Sequence, residues 1–431
     1  MRQRVSVGAA ALATCNGWRC RRGRLHASGV ALAAALWPCL AGAAPLTLET
    51  ALELAVQRSE ATRAAQGGLR SVAEASRAAG QLPDPSLRVG FENLPVTGSD
   101  RFSTTRDSMT MKRIGLAQEW VSRDKRAARQ AEAEASVGRE GVQVQTAEAE
   151  ARLQTSLAYL DVLYAGAALR ITAVAEQVAR EEFEAGRARL ASAAGASPEA
   201  LQLAAARGAS EDDSAELRQQ QSTARVALAR WIGIVADDVA EIEPSPSPAE
   251  DVYVSGHPMV AALARDVEVA RRAADVAATA RKPNWTWEVS YGQRTGYSDM
   301  VSIGVSIPLP VAPDARQDRE TAAKLALVDR ADAQLAEARR AATAEYRALV
   351  SDAQRLRERI DRYRAGVVAL VHQRTAAATA MYRSNAANLV PLFEARRAEV
   401  DAQRRVLTLQ RDLARTQAQL AYRPIVIGAA P

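Results

Sequence analysis

Hydrophobic and polar positions alternate most cleanly between Trp285 and Leu309. Trp285, Trp287, Val289 and Tyr291 are apolar on odd positions, with Thr286, Glu288 and Ser290 between them. After the polar, turn-rich stretch 292–299, the odd positions Val301, Ile303, Val305, Ile307 and Leu309 are apolar again, separated by Ser302, Gly304 and Ser306. A period of two on both arms predicts an antiparallel hairpin with one apolar and one polar face. Each arm holds about 8–9 residues, near the ~9–11 that a tilted strand needs to cross a bilayer. Trp285, Trp287 and Tyr291 stand toward the outer part of the apolar face, where an interfacial aromatic girdle belongs. An amphipathic hairpin on a water-soluble core has the same alternation, so one hairpin does not decide the solvent.

A second hairpin does more. Leu87, Val89 and Phe91 alternate with Arg88, Gly90 and Glu92, and a polar connection follows through Ser108. The return arm runs from Met109 and Met111 through Ile114 and Leu116 to Trp120. Its parity changes at Lys112-Arg113, as at a bulge or at the strand's entry point.

Helical segments flank both hairpins. Thr47–Gly80 is an alanine-rich helix ending before Pro83 and Pro85. No proline occurs between Pro95 and Pro198, and Asp124–Leu190 reads as one helix of about 100 Å at ~1.5 Å per residue, with Gly138, Gly141 and Gly166 as points of gentle bending. Gly195-Ala196-Ser197-Pro198 breaks it, and a helix returns from Leu201 to Trp231. Residues 236–256, with Pro244, Pro246 and Pro248, have linker composition. The order then recurs: a helix from Pro258 to Ala280, the hairpin, a long run from Asp314, a break at Tyr382-Arg383-Ser384-Asn385, and a return from Leu392 to Tyr422. In the second long run Leu349, Leu356, Tyr363 and Leu370 alternate with Tyr346, Ala353, Ile360 and Val367, a seven-residue coiled-coil seam.

The duplication has measurable offsets. Ile114-Gly115 corresponds to Ile303-Gly304, 303 − 114 = 189, and Pro83 to Pro283, 283 − 83 = 200; the first hairpin's connection is about ten residues longer. The predicted organisation is residues 45–235 as a first repeat with its hairpin at about 86–120, the linker, residues 257–422 as a second repeat with its hairpin at about 285–309, and a tail at 423–431.

Composition then narrows the classes. The formal charge of the 431 residues is +6, which suggests nucleic acid until its location is considered. Residues 1–44 hold six arginines and no acid, so the remainder is neutral, 6 − 6 = 0. These residues resemble a secretory signal peptide: the arginines precede an apolar run from Val30 to Leu40, and Ala41-Gly42-Ala43 supplies small residues for cleavage. Cys15, Cys20 and Cys39 all lie there; cleavage near Ala43 or Ala44 removes them, and a lipid on Cys39 is the alternative. Beyond it stand only His257 and His372, without HxxxH or HExxH spacing. No nucleophile–base pair or ligand cluster is legible, so the expectation is a protein that is no enzyme and holds no cofactor and no metal. Met109 and Met111 have soft-metal chemistry, yet fit a packed or lipid-facing strand.

Four strands cannot close a barrel, and open edges are not tolerated in lipid. Two chains give eight strands and a filled interior; three give twelve and a lumen. The long helices then hang from one rim as a tube. This is an α+β plan: a duplicated helix–β-hairpin–long helical hairpin.

Residues 45–422 resemble the TolC-type outer-membrane factors, the trimeric exit ducts of tripartite efflux and type I secretion. Gln81-Leu82-Pro83-Asp84-Pro85, Asn93-Leu94-Pro95, Met109-Thr110-Met111, Ile114-Gly115, Gln118-Glu119 and Asp124-Lys125-Arg126 resemble the branch serving heavy-metal cation pumps of the RND type. The resemblance implies a homotrimer with a 12-stranded β-barrel in outer-membrane lipid and a periplasmic α-helical barrel. It implies partnership with a periplasmic adaptor (membrane fusion) protein and an inner-membrane RND pump, and no nucleic acid. It makes Gly195, Ala196, Ser197, Pro198, Tyr382, Arg383, Ser384 and Asn385 the periplasmic tips that contact the adaptor. Asn385 stands where the family often has glycine, and of the gate positions six and nine residues later, Pro391 and Glu394, one is acidic. Three Glu394 carboxylates around an axis would attract cations; a solvated surface charge is the competing reading, with Arg383 and Arg396 as partners or facing water. Phe91, Trp120, Trp285, Trp287 and Tyr291 become the membrane-belt aromatics. A soluble periplasmic coiled-coil adaptor or scaffold shares the helices and the export signal, but needs no hairpins with apolar faces.

Overall fold

The computed structural model describes residues 45–192, 197–242, 246–384, 386 and 389–425. Residues 1–44 (expected to be a signal peptide), Gly195, Ala196, Asn385 and the end of the tail lie outside them. In order, the described elements are α1 (Leu48–Arg58), α2 (Glu60–Ala79), β1 (Ser86–Glu92), β2 (Met111–Trp120), α3 (Arg123–Ala191), α4 (Ser197–Ile232), α5 (Glu250–Gly256), α6 (Pro258–Ala278), β3 (Trp285–Gln293), β4 (Met300–Ser306), α7 (Gln317–Tyr363), α8 (Ala369–Arg383) and α9 (Leu389–Tyr422).

Three helical expectations are corrected. The first helix is two, because the Ser59 hydroxyl accepts from Thr62 N at 3.1 Å and caps α2 while its own backbone is extended. Its counterpart in the second half is His257, followed by Pro258 at the start of α6, where a missing N–H costs nothing. The segment 236–256 is not all linker: Glu250 and Asp251 open the short α5, acidic residues that suit a helix N-terminus. And α3 runs unbroken for 69 residues, about 100 Å, straight through Gly138, Gly141 and Gly166. By length and composition α3 also suffices to cross a membrane, with a window of mean hydropathy 1.4. It packs along α1, α2, α4, α6 and α9, and one third of that window is buried against them.

The second long helix holds a finding that its heptads did not announce. Between α7 and α8 the backbone makes a π turn, Arg364–Val368. A π turn adds one residue and so rotates everything after it by about 100° relative to an α-helix. Ala353 and Ile360 are buried as the seam predicts, but Val367 and Leu370 are exposed, and Val368 and Val371 take their place.

The sheet is a single meander, β1-β2-β3-β4, antiparallel throughout. Both offsets reappear in its pairing: Val89 faces Ile114 and Val289 faces Ile303. Pairing is continuous from Met111 to Trp120, so Lys112-Arg113 is the strand's entry and no bulge interrupts it. Met109 belongs to the connection and not to the return arm.

Small side chains let the helices approach. The first half closes on Ala51, Ala158, Tyr159, Leu228 and Ile232, the second on Val260, Val267, Leu335, Ala338 and Ala342. Tyr159 is fully buried, and its hydroxyl donates to Leu46 O at 2.6 Å or Ala240 O at 2.8 Å, tying the chain's entry to the segment after α4. Burial pushes its phenol up to about 12, so it remains a donor at neutral pH. Tyr159→Phe is expected to leave those carbonyls without this donor and to cost about 1–3 kcal/mol, read as a lowered denaturation midpoint in detergent.

Candidate functional site: the sheet faces and the helical tips

The two faces of the sheet are inverted relative to a water-soluble protein. Leu87, Val89, Phe91, Ile114, Leu116, Val289, Tyr291, Val301, Ile303 and Val305 share one face and are exposed, Ile303 at 78%. Beyond β4 the alternation continues on Ile307, Leu309 and Val311, also exposed. An apolar patch of this extent on a monomer marks contact with lipid or protein.

The opposite face is polar and ionic. Arg113 donates to Glu92 at 3.1 Å, to Glu288 at 3.3 Å and to Ser290 at 2.8 Å, crossing from β1 to β3. Arg88 reaches Glu288 at 2.8 Å by passing over β2 at its partner Gly115. A Cβ at Gly115 would lie 2.8 Å from that of Ser290, so only glycine leaves this floor open. Partly exposed pairs of this kind contribute little stability singly; here they line a polar wall and tie three strands together.

The aromatics expected in a membrane belt fall into two groups. Trp120 and Trp285 pair directly in register, ring centroids 5.7 Å apart, at the end that continues into the helices, with Trp287 beside them. Phe91 and Tyr291 lie at the loop end, where the Tyr291 hydroxyl donates to Asp299. Six residues separate Trp285 from Tyr291, about 20 Å along a strand.

A polar collar follows where strands become helices. Lys125 donates to Lys282 O and Asn284 Oδ1 at 3.1 and 3.0 Å, Asn284 donates to Glu119 at 2.7 Å, and Lys282 pairs with Asp124 at 2.5 Å. Burial holds the Lys125 ammonium below its ordinary range, and Lys282 holds the Asp124 carboxyl below its own.

At the far end the two helical hairpins meet. Leu203 of α4 packs with Leu389 and Leu392 of α9, against Phe183, Ala378, Tyr382 and Phe393. Gly186 of α3 admits Leu203, whose Cδ1 lies 2.4 Å from where a Cβ would stand. Glu199 of α4 accepts from Leu389 N at 3.3 Å, so one hairpin caps the returning helix of the other. Ser197 and Pro198 form the first turn of α4, where proline is tolerated, while Arg383 ends α8 and Ser384 caps it. Of the predicted tip residues, Tyr382 is in the packed cluster and Arg383 and Ser384 are exposed. Glu199→Ala is expected to weaken the start of α9 by about 0.5–2 kcal/mol, seen as faster hydrogen exchange at 389–392.

The two gate candidates, Glu394 and Arg396, separate. Glu394 is exposed and has no ion pair among the described residues. Arg396 pairs with Glu182 of α3 and not with Glu394. Burial raises the Glu182 carboxyl, opposed by Arg396. Glu182 was missed from the sequence, although Thr172, Ala179 and Gly186 mark a buried heptad position on α3 and Glu182 falls three residues into that repeat.

The histidines are not brought together. His372 Nδ1 lies 2.8 Å from Glu399 on the exposed side of α8 and α9. His257 lies beside Tyr253, its Nε2 3.4 Å from Glu345, and burial followed by Arg423 lowers it. Among the described residues no group of three or more His, Cys, Asp or Glu is placed to hold a metal ion.

A meander of four strands with an apolar outward face, joined to two helical hairpins of this length, is the protomer fold of outer-membrane channels. The chain superposes on the outer membrane protein VceC from Vibrio cholerae with a TM-score of 0.71 at 19% identity, covering 87% of this chain and 95% of that one. It matches CusC, whose structures follow folding and transmembrane channel formation, with a TM-score of 0.73 at 14% identity over 87% and 91%. The Campylobacter jejuni outer membrane channel CmeC matches with 0.72 at 14% identity over 87% and 85%. At these identities the likeness establishes the fold. No protein-family model matches the chain, and none of the curated proteins matches it in sequence.

Proposed function

We propose that this chain is a TolC-type outer-membrane factor: the outer-membrane exit duct of a tripartite efflux system, a passive conduit without catalytic residues. The observation that carries the reading is the sheet. Its apolar face is exposed, its ionic face is on the other side, and among the described residues β1 and β4 each pair on one side only. Lipid satisfies the first face, water in a lumen the second, and neighbouring copies the two edges. Three copies give a twelve-stranded barrel, and α3, α4 and α7–α9 extend into the periplasm. The tips, 195–198 and 382–385, then meet a periplasmic adaptor and through it an RND pump. Three copies of Glu394, each without an ion pair among the described residues, then ring the closed end.

The finer assignment, export of heavy-metal cations, rests on the short motifs around the first hairpin, from Gln81 to Arg126. It fits a duct that passes cations without retaining them. Deleting the chain is expected to lower tolerance to soft or borderline metal cations more than tolerance to lipophilic drugs; the reverse order reassigns the duct to drug export.

Native mass spectrometry of protein extracted from outer membranes tests the architecture. A trimer of chains beginning near Ala44 or Pro45 is expected. A lipid-shifted chain beginning at Cys39 changes the anchor and keeps the duct. A monomer released without detergent replaces it with a periplasmic scaffold.

A further inference from the structure

Toward the tips α3, α4 and α9 do not close fully on one another. A crevice of about 410 Å3 remains between them, within the ~300–1,000 Å3 of small-molecule sites. Val174, Val178, Phe393 and Val400 form an apolar wall. Two buried polar side chains also line it: Thr172 is 2% exposed and Glu182 is 6% exposed. Neither Thr172 Oγ1 nor Glu182 Oε2 has a hydrogen-bond partner among the described residues.

A buried carboxylate oxygen without a donor is costly, and native proteins rarely leave one so. Two of the three lining arginines are already engaged. Arg396 holds the other oxygen of Glu182, and Arg397 lies 3.6 Å from Asp213. Four carboxylates line the crevice against three arginines, so its net charge favours a cation. Apolar side chains form much of the crevice lining, a surface that a hydrated inorganic ion would not fill.

We infer that this crevice is a binding site for a lipophilic organic cation, with an ammonium N–H on Glu182 Oε2 and hydrocarbon against Val174, Val178, Phe393 and Val400. The site is in the wall between the two helical hairpins. A ligand bridging α3, α4 and α9 makes their relative position depend on its presence.

The full chain in lipid nanodiscs at neutral pH tests this by equilibrium dialysis against imipramine, a tricyclic propylammonium, and its propionate analogue, in which a carboxylate replaces the amine. One saturable imipramine site per chain is expected, with the carboxylate binding at least tenfold more weakly. Glu182→Gln should weaken imipramine at least tenfold, and Val178→Trp should fill the crevice and abolish the site. Partition into lipid is common to all samples and cancels between variants. Should Glu182→Gln fold poorly, Val178→Trp, which keeps the Glu182–Arg396 pair, carries the comparison. Absence of saturable binding, equal binding of the carboxylate, or undiminished binding to Val178→Trp overturns the inference. The outcome is separate from that for the duct: a detergent-free monomer that still binds imipramine removes the duct and keeps the site.

Discussion

Ile303→Arg is expected to remove the chain from the outer membrane almost completely. Ile303 is central on β4, paired with Val289 and 78% exposed. In lipid, an arginine at the middle of a barrel strand's outer face costs about 2–4 kcal/mol. At about 1.4 kcal/mol per decade, that is roughly 30- to 1,000-fold in the assembled fraction. In water the same exposed position would tolerate the change within about 0.5 kcal/mol. Ser302→Arg, one residue away on the ionic face, is expected to assemble. The readout is the trimer band of outer-membrane fractions run unheated on denaturing gels. Equal recovery of both variants would show that the apolar face never meets lipid.

The second large effect concerns Arg396. Truncating one partner of a buried ion pair leaves the other charge uncompensated, at ~3–5 kcal/mol. Arg396 is about one third exposed, which screens part of this, so Arg396→Ala is expected to cost about 2–3 kcal/mol. Its pH dependence has a definite sign. Burial raises the Glu182 carboxyl in the folded chain, so the folded state binds its proton more tightly than the unfolded state does. Stability from this group therefore falls as pH rises through the folded value and recovers on acidification. Loss of Arg396 raises the carboxyl further, so the variant should regain more of its melting temperature than the parent between neutral and mildly acidic pH. A variant whose deficit stays constant across that range would place Glu182 in water.

Much of the architecture was legible because β periodicity and proline spacing are local signals. The parity of Trp285–Leu309 and the offsets of 189 and 200 specify which residues face one another, and the pairing of Val89 with Ile114 and Val289 with Ile303 follows them. What escaped is one local cap and several side chains acting at a distance. Ser59 breaks a helix through one hydroxyl bond, a choice that alanine-rich flanks conceal. Glu182 is charged at a core position, and nothing in its neighbours announces Arg396, 214 residues away. Glu199 as cap for Leu389 and Arg88 passing over Gly115 likewise require the fold before they can be seen. The resemblance drew attention to Glu394, with Arg383 and Arg396 as partners or facing water; Arg396 pairs with Glu182 instead.

The π turn at Arg364–Val368 has a consequence for how such a long helix can be altered. It acts as a phase shifter, letting one continuous rod present one azimuth to α6 and α9 before it and another to α9 after it. Insertions and deletions on the two sides are thus decoupled. Removing one residue within the turn would leave a plain α-helix with Val368 seven positions after Ile360, and so keep Val368 and Val371 inward; winding the turn into α-helix with every residue kept would instead swing Val367 and Leu370 inward in their place. The chain would then keep every hydrophobic residue it has and still lose its docking angle, since phase, more than composition, distinguishes the lower rod from the upper.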